Sequence, residues 1–147
     1  SMADGIKDNP LFLSADIVTG GLTENAGKKI LVKLGEMIGQ QVQLYQEKKR
    51  MLPVLMDYPH IEDRVINFTI PSGYNIVNPN DINLNVVDKD GSMGFVSTYT
   101  IKGNILTVDI HEFYKSISYP VSRFEDFRKV INTSADFNKV VLVLEKK

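Results

Sequence analysis

The sequence predicts a mostly β protein: an antiparallel β-sandwich, immunoglobulin-like or jelly-roll-like, with one short helix at about residues 123–135 before the last strand. Three observations carry this prediction. Short stretches between residues 51 and 111 alternate apolar with polar side chains and are separated by turn residues. Gly103-Asn104 reads as a two-residue hairpin loop. Phe124, Phe127, Val130 and Ile131 then recur at helical spacing, and an apolar strand-like run closes the chain at residues 137–144.

The elements follow in order. Residues 1–10 are polar, end in Asp8-Asn9-Pro10, and read as a disordered lead-in. Residues 11–147 read as a single β-sandwich domain. Leu11, Leu13, Ala15 and Ile17 alternate with other residues and predict a first strand; Gly20-Gly21 and Asn25-Ala26-Gly27 predict turns. Ile30, Val32 and Leu34 predict a second strand with Lys29, Leu31 and Lys33 on its wet face. Leu34, Met37, Ile38, Val42 and Tyr45 share a helical face, which predicts a short helix near residues 36–45. Gly35 and Gly39 oppose it, each at a cost of about 1 kcal/mol. Lys48-Lys49-Arg50 reads as a solvated segment.

Ile66, Phe68 and Ile70 form the next alternating set, ended by Pro71-Ser72-Gly73. After the turn at Asn78-Pro79-Asn80-Asp81 come Ile82, Leu84 and Val86. With a two-residue loop at Gly103-Asn104, Ile101 faces Leu106, Tyr99 faces Val108 and Ser97 faces Ile110. Phe95 joins these on one mostly apolar face. One more loop residue would set Tyr99 against Thr107 and mix the faces, a slip penalised wherever one face is buried. A sheet with one dry face must bury it against another layer, hence the sandwich. Ser122-Arg123-Phe124-Glu125 reads as a capping box at the helix start. Glu125 with Lys129 makes an i,i+4 pair.

Composition narrows the function classes. The 147 residues suit one domain; 43% are apolar and 24% charged, the balance of an ordinary globular domain. A formal net charge of −1 argues against a nucleic-acid partner, which calls for a basic surface. No apolar stretch approaches the roughly 20 residues of a membrane-spanning helix. The absence of cysteine removes disulfides, thiolate metal sites and cysteine nucleophiles. Ser1-Met2 reads as a cloning remnant.

Candidate chemistry is sparse. His60 with Asp57, Glu62 and Asp63 offers metal or acid–base side chains, yet no paired-histidine ligand spacing occurs. His60 reads instead as part of a bend, and His111 as a polar-face residue of its hairpin. Ser116 and Ser118 lack a nucleophile-elbow motif. Asp88-Lys89-Asp90-Gly91 superficially matches a calcium loop but lacks its downstream acidic ligand, and reads as a hairpin turn. Gly91-Ser92-Met93-Gly94 completes that turn. Asn67-Phe68-Thr69 and Asn132-Thr133-Ser134 match the glycosylation sequon, a short pattern that arises by chance. Tyr99, Tyr114 and Tyr119 are the candidates for a shallow ligand platform, against the simpler reading of packing residues. No catalytic residue, metal or cofactor is predicted.

Several segments together resemble a known family: Gly35-Glu36-Met37-Ile38-Gly39-Gln40-Gln41, Tyr45-Gln46-Glu47-Lys48-Lys49-Arg50, Leu52-Pro53-Val54 and Tyr58-Pro59-His60. So do Ile70-Pro71-Ser72-Gly73-Tyr74, Gly94-Phe95-Val96-Ser97, Tyr119-Pro120, Phe127-Arg128-Lys129-Val130-Ile131-Asn132 and the stretch from Ala135 to Leu142. Over about residues 28–147 the chain resembles the C-terminal uncharacterised domain of large bacterial transglutaminase-like proteins. The resemblance implies a β-sandwich tail that follows a papain-like core, in a protein exported to the periplasm or cell surface. The family's catalytic cysteine, histidine and aspartate belong to that core, so no functional residue carries over. Residues 1–27 read as an inter-domain connection or a first strand.

The expectation is therefore a non-catalytic accessory domain whose partner is the upstream catalytic domain of the same polypeptide. The rival is a glycan- or peptide-binding module using Tyr99, Tyr114 and Tyr119. A small hydrolase would need His60 or His111 beside a serine and a carboxylate.

Overall fold

Alternating sequence becomes antiparallel sheet wherever it has a neighbour to pair with. The computed structural model describes residues 10–18 and 20–147. The lead-in predicted for residues 1–10 lies, Pro10 apart, outside them. The elements are β1 (Thr23–Ala26), β2 (Lys29–Val32), β3 (Val54–Leu55), β4 (His60–Thr69), β5 (Tyr74–Ile76), β6 (Leu84–Val87), β7 (Met93–Lys102), β8 (Ile105–Tyr114), β9 (Ser118–Tyr119), α1 (Phe124–Phe137) and β10 (Leu142–Lys146). Two four-stranded sheets run in the orders β1-β2-β10-β5 and β4-β8-β7-β6, with a small β3-β9 pair beside them. Every pairing is antiparallel. The fold is mostly β, with one α-helix before the last strand, as the sequence predicts.

The β7–β8 hairpin has the predicted register: Lys102 faces Ile105, Ile101 Leu106, Tyr99 Val108 and Ser97 Ile110. Gly103 turns the chain at φ 62°, while no described non-glycine residue has positive φ. Glycine first with a negative φ at Asn104 is the type II′ pattern, whose twist matches the strands it joins. Phe95, Ser97, Leu106, Val108 and Ile110 are buried on the inner face, whereas Thr98, Thr100, Asp109 and His111 are exposed on the outer one.

Helix α1 lies on that inner face over β6 and β7. Phe124, Phe127, Val130, Ser134 and Phe137 point inward at three- and four-residue intervals, and Phe137 meets Phe95 at 5.8 Å between ring centres. Val32, Leu142 and Leu144 join the same core from the other sheet. Because β2 pairs with β10, the beginning and end of the fold lie side by side.

Four local expectations need correction. Residues 11–17 form no strand; Leu11, Phe12, Leu13 and Ile17 are exposed, so their alternation has no layer to bury it. The helix expected near 36–45 is only a 3-10 turn, Leu34–Ile38. Gly35 packs against backbone there, where an added Cβ would lie 2.1 Å from the Phe137 carbonyl oxygen. Gly39 takes φ 80° and ends the turn. Residues 41–44 then run along α1: Asn132 Oδ1 accepts from the Leu44 amide at 2.8 Å and its Nδ2 donates back to the Leu44 carbonyl at 3.2 Å. Asn138 Nδ2 similarly donates to the Gly35 and Gly39 carbonyls. These side chains supply the hydrogen bonds a helix would have made internally.

Third, the closing strand begins at Leu142, because Phe137 completes α1. Fourth, no capping box forms: Val121–Arg123 is a 3-10 turn, Arg123 occupies the cap position, and no side chain caps the helix. Glu125 pairs with Arg128 at 2.5 Å rather than with Lys129.

Candidate functional site

The strand register decides which polar side chains face inward. On β4 and β8 the inward set is His60, Glu62, Arg64 and Ile66, opposite Tyr114, Glu112, Ile110 and Val108. Glu112 therefore enters the core in phase with two aliphatic residues and is buried. Burying a carboxylate is costly unless it is paired and hydrogen-bonded. Arg64 supplies the charge, 3.1 Å from Glu112 Oε2, and also contacts Glu62. The Tyr114 hydroxyl donates to Glu112 Oε1 at 3.1 Å.

Burial, followed by the neighbouring Glu112 charge, pushes the Tyr114 phenol well above its ordinary range. It is held as a protonated donor to Glu112. The His60 ring sits 5.1 Å from Tyr114 and 5.7 Å from Tyr58.

A second polar cluster anchors the start of α1. The β6–β7 turn reverses through Asp88-Lys89-Asp90-Gly91-Ser92, with the Gly91 amide donating to the Asp88 carbonyl at 3.1 Å. Asp88 Oδ1 accepts from the Ser92 and Met93 amides, and its Oδ2 from Ser92 Oγ and the Arg123 guanidinium. Arg123 also reaches Asp90 at 2.5 Å and Asp126 at 3.1 Å. The hydrogen bond from Arg123 holds the Asp90 carboxyl well below the usual carboxylate range. The segment is thus a hairpin turn, and its carboxylates face donors of the chain itself.

The three tyrosines proposed as a platform part company. Tyr114 and Tyr119 both pack on Phe127 inside the core, at 5.6 and 5.7 Å between ring centres. The Tyr119 hydroxyl donates to the Ser92 carbonyl at 3.1 Å. Tyr99 lies farther along the hairpin, half-buried, and donates to Asn80 Oδ1. Aromatic area that packs on Phe127 is not available to a ligand at the surface.

His111 faces the outer side, bonded to Asp63 Oδ1 at 2.5 Å and stacked 5.0 Å from Phe113. His60 is on the opposite face of the same sheet, so the two histidines do not converge. Ser116 Oγ is engaged within its own loop by the Ser118 backbone. Among the described residues, no group of three or more histidine, aspartate or glutamate side chains is placed to hold a metal ion. No described helix is long and apolar enough to cross a membrane.

A surface cleft of about 670 Å³ lies between the turn after β4 and the tip of the β7–β8 hairpin; no aspartate, glutamate or histidine side chain lines it. A smaller one, about 340 Å³, is formed by residues 46–50 against Val121, Phe124 and Glu125, with the Arg50 guanidinium 4.9 Å above the Phe124 ring.

Neither Arg64–Glu112 nor Arg123–Asp88 was singled out from sequence. A signal for the first was present: residue 112 shares its face with Ile110 and Val108, so a charge there requires an inward-facing partner. Nothing local could reveal the second, since Arg123 and Asp88 meet only after folding.

Residues 28–144 match the model of a family described as a domain of unknown function with a solved structure (DUF3858). No curated protein and no solved structure matches the chain.

Proposed function

The chain belongs to the DUF3858 family, and from that premise we propose that it is a non-catalytic accessory module of a larger transglutaminase-like protein. In this reading it packs on an upstream papain-like core and positions it, in a bacterial protein exported to the periplasm or cell surface. The observation that carries the reading is a concentration of uncovered apolar side chains around the small β3-β9 pair. Met51, Leu52, Leu55 and Tyr58 are all exposed within eight consecutive positions, Leu55 at 75%. Ile117, whose carbonyl accepts from the Met56 amide on the paired segment, is exposed as well. A concentration of exposed apolar side chains of this kind supports a surface that another protein covers.

The internal chemistry supports the same reading. The buried carboxylates of both clusters, Glu112 and Asp88, are paired with an arginine of the chain itself, so they fix packing. The test uses the full-length protein with Leu52 and Leu55 both replaced by aspartate. The module keeps its own core, because both side chains lie outside it. Turnover by the catalytic core falls, or the two units melt separately, if the surface is the docking face. Unchanged turnover and unchanged melting would refute the reading.

A further inference from the structure

Strand β4 is paired on one side only. The Ile70 amide donates to the Asn104 carbonyl, which sets the phase of the β4–β8 ladder. Even-numbered residues of β4 then exchange hydrogen bonds with β8, while Ile61, Asp63, Val65, Asn67 and Thr69 direct both backbone groups away from the sheet. No partner is found for these groups among the described residues. The other open edges of the two four-stranded sheets are three or four residues long, at β1, β5 and β6, and those of the β3-β9 pair two, whereas β4 has ten.

Protein edges are ordinarily blunted by charged side chains, proline or a bulge. β4 reads His-Ile-Glu-Asp-Arg-Val-Ile-Asn-Phe-Thr and pairs with β8 one-to-one throughout, so it has neither proline nor bulge. Its three charges are engaged within the sheet, Arg64 with Glu62 and Glu112 and Asp63 with His111. Ile61 and Val65, on its outer face, are 56% and 63% exposed.

The same molecule also holds a strand sequence with no sheet. Residues 10–18 alternate Leu11, Leu13, Ala15 and Ile17 with Phe12, Ser14, Asp16 and Val18, yet form no regular element. Leu11 and Leu13 are 85% and 88% exposed, and every residue from 10 to 18 is exposed among the described residues. An unfilled edge and an unplaced strand in one chain are complementary in backbone and in apolar pattern.

We infer that residues 10–18 of one copy add to the β4 edge of a second copy, and the reverse, forming a two-fold strand-exchanged dimer. The inference does not depend on the accessory-module reading, because it needs only this chain.

Sedimentation of the 147-residue chain over a range of concentrations, paired with hydrogen exchange, provides the test. The expected result is a concentration-dependent dimer in which the amides of Ile61, Asp63, Val65, Asn67 and Thr69 become protected as dimer forms. Val65→Pro removes only an outward N–H and leaves the β4–β8 ladder complete, so it yields a folded monomer. Leu13→Asp with Ile17→Asp does the same from the donor side. A monomer at all concentrations would overturn the inference. So would a dimer that survives both variants, or protection of these amides in a monomer, which would mean pairing within one copy.

Discussion

The ring of Phe113 lies over Gly94 on the neighbouring strand, so close that a Cβ at residue 94 would stand 2.7 Å from Phe113 Cζ. Phe113 belongs to the outer face by parity, yet it is buried, because the bare backbone of Gly94 gives its ring a seat. The Lys115 ammonium, 4.7 Å from the ring centre, and the His111 ring complete its cover. Gly94→Ala therefore lowers stability by about 1–3 kcal/mol through overpacking. Urea unfolding reads this as a lower midpoint at unchanged slope; an unchanged midpoint would contradict it. Gly35→Ala costs more, since the obstacle is the Phe137 backbone and not a side-chain tip.

Asp90 makes stability depend on acid. Its folded carboxyl titrates well below the ordinary range, chiefly because Arg123 donates to it. The unfolded chain then binds a proton first, at about pH 3.9. Stabilisation is complete above that pH and is lost as pH falls toward the depressed folded value. Asp90→Asn flattens the fall in stability below about pH 4. Unfolding midpoints measured across that range should show a steeper decline for the parent than for the variant.

Tyr114 has the opposite sign at the alkaline end. Its phenol is raised by burial first and by Glu112 second, so the folded state resists ionisation that the unfolded state accepts at about pH 10. Stability is complete below that pH and declines as pH climbs toward the folded value. Phenolate absorbance should show Tyr114 and Tyr119, whose phenol burial also raises, ionising later than the other tyrosines. Tyr114→Phe removes its share of that late component, and an undiminished late component in the variant would assign it elsewhere.

Asn132 ties residues 41–44 to the helix through both backbone groups of Leu44. Asn132→Ala leaves that amide and carbonyl without partners, at a cost of about 1–3 kcal/mol. Hydrogen exchange at Leu44 accelerates while amides of β7 and β8 hold their rates. Equal loss of protection in both places would mean that Asn132 supports the whole fold and not this segment.

What was legible in the sequence was periodicity with a buried partner. The β7–β8 register followed from a single argument about faces, because Val108 and Ile110 can satisfy only one phase. Helix α1 followed from Phe124, Phe127 and Val130. The same alternation at Leu11, Leu13, Ala15 and Ile17 gave no strand, since periodicity states only what a segment could bury. Residues 36–45 failed for a different reason: Asn132 and Asn138, almost a hundred positions away, supply the hydrogen bonds that hold an extended path. The tyrosines illustrate a limit of composition. Tyr114 and Tyr119 have the residue type of a ligand platform, but Phe127 brings them together from inside. Arg64–Glu112 and Arg123–Asp88 became visible only when register and turn geometry were known.

Hydrogen exchange of residues 51–58, compared between this chain alone and the full-length protein, tests the accessory-module reading most directly. Docking on an adjoining domain predicts slower exchange at Leu52, Leu55 and Tyr58 in the longer protein, with the outer face of β7 unchanged. Identical rates at those positions in both contexts would contradict it.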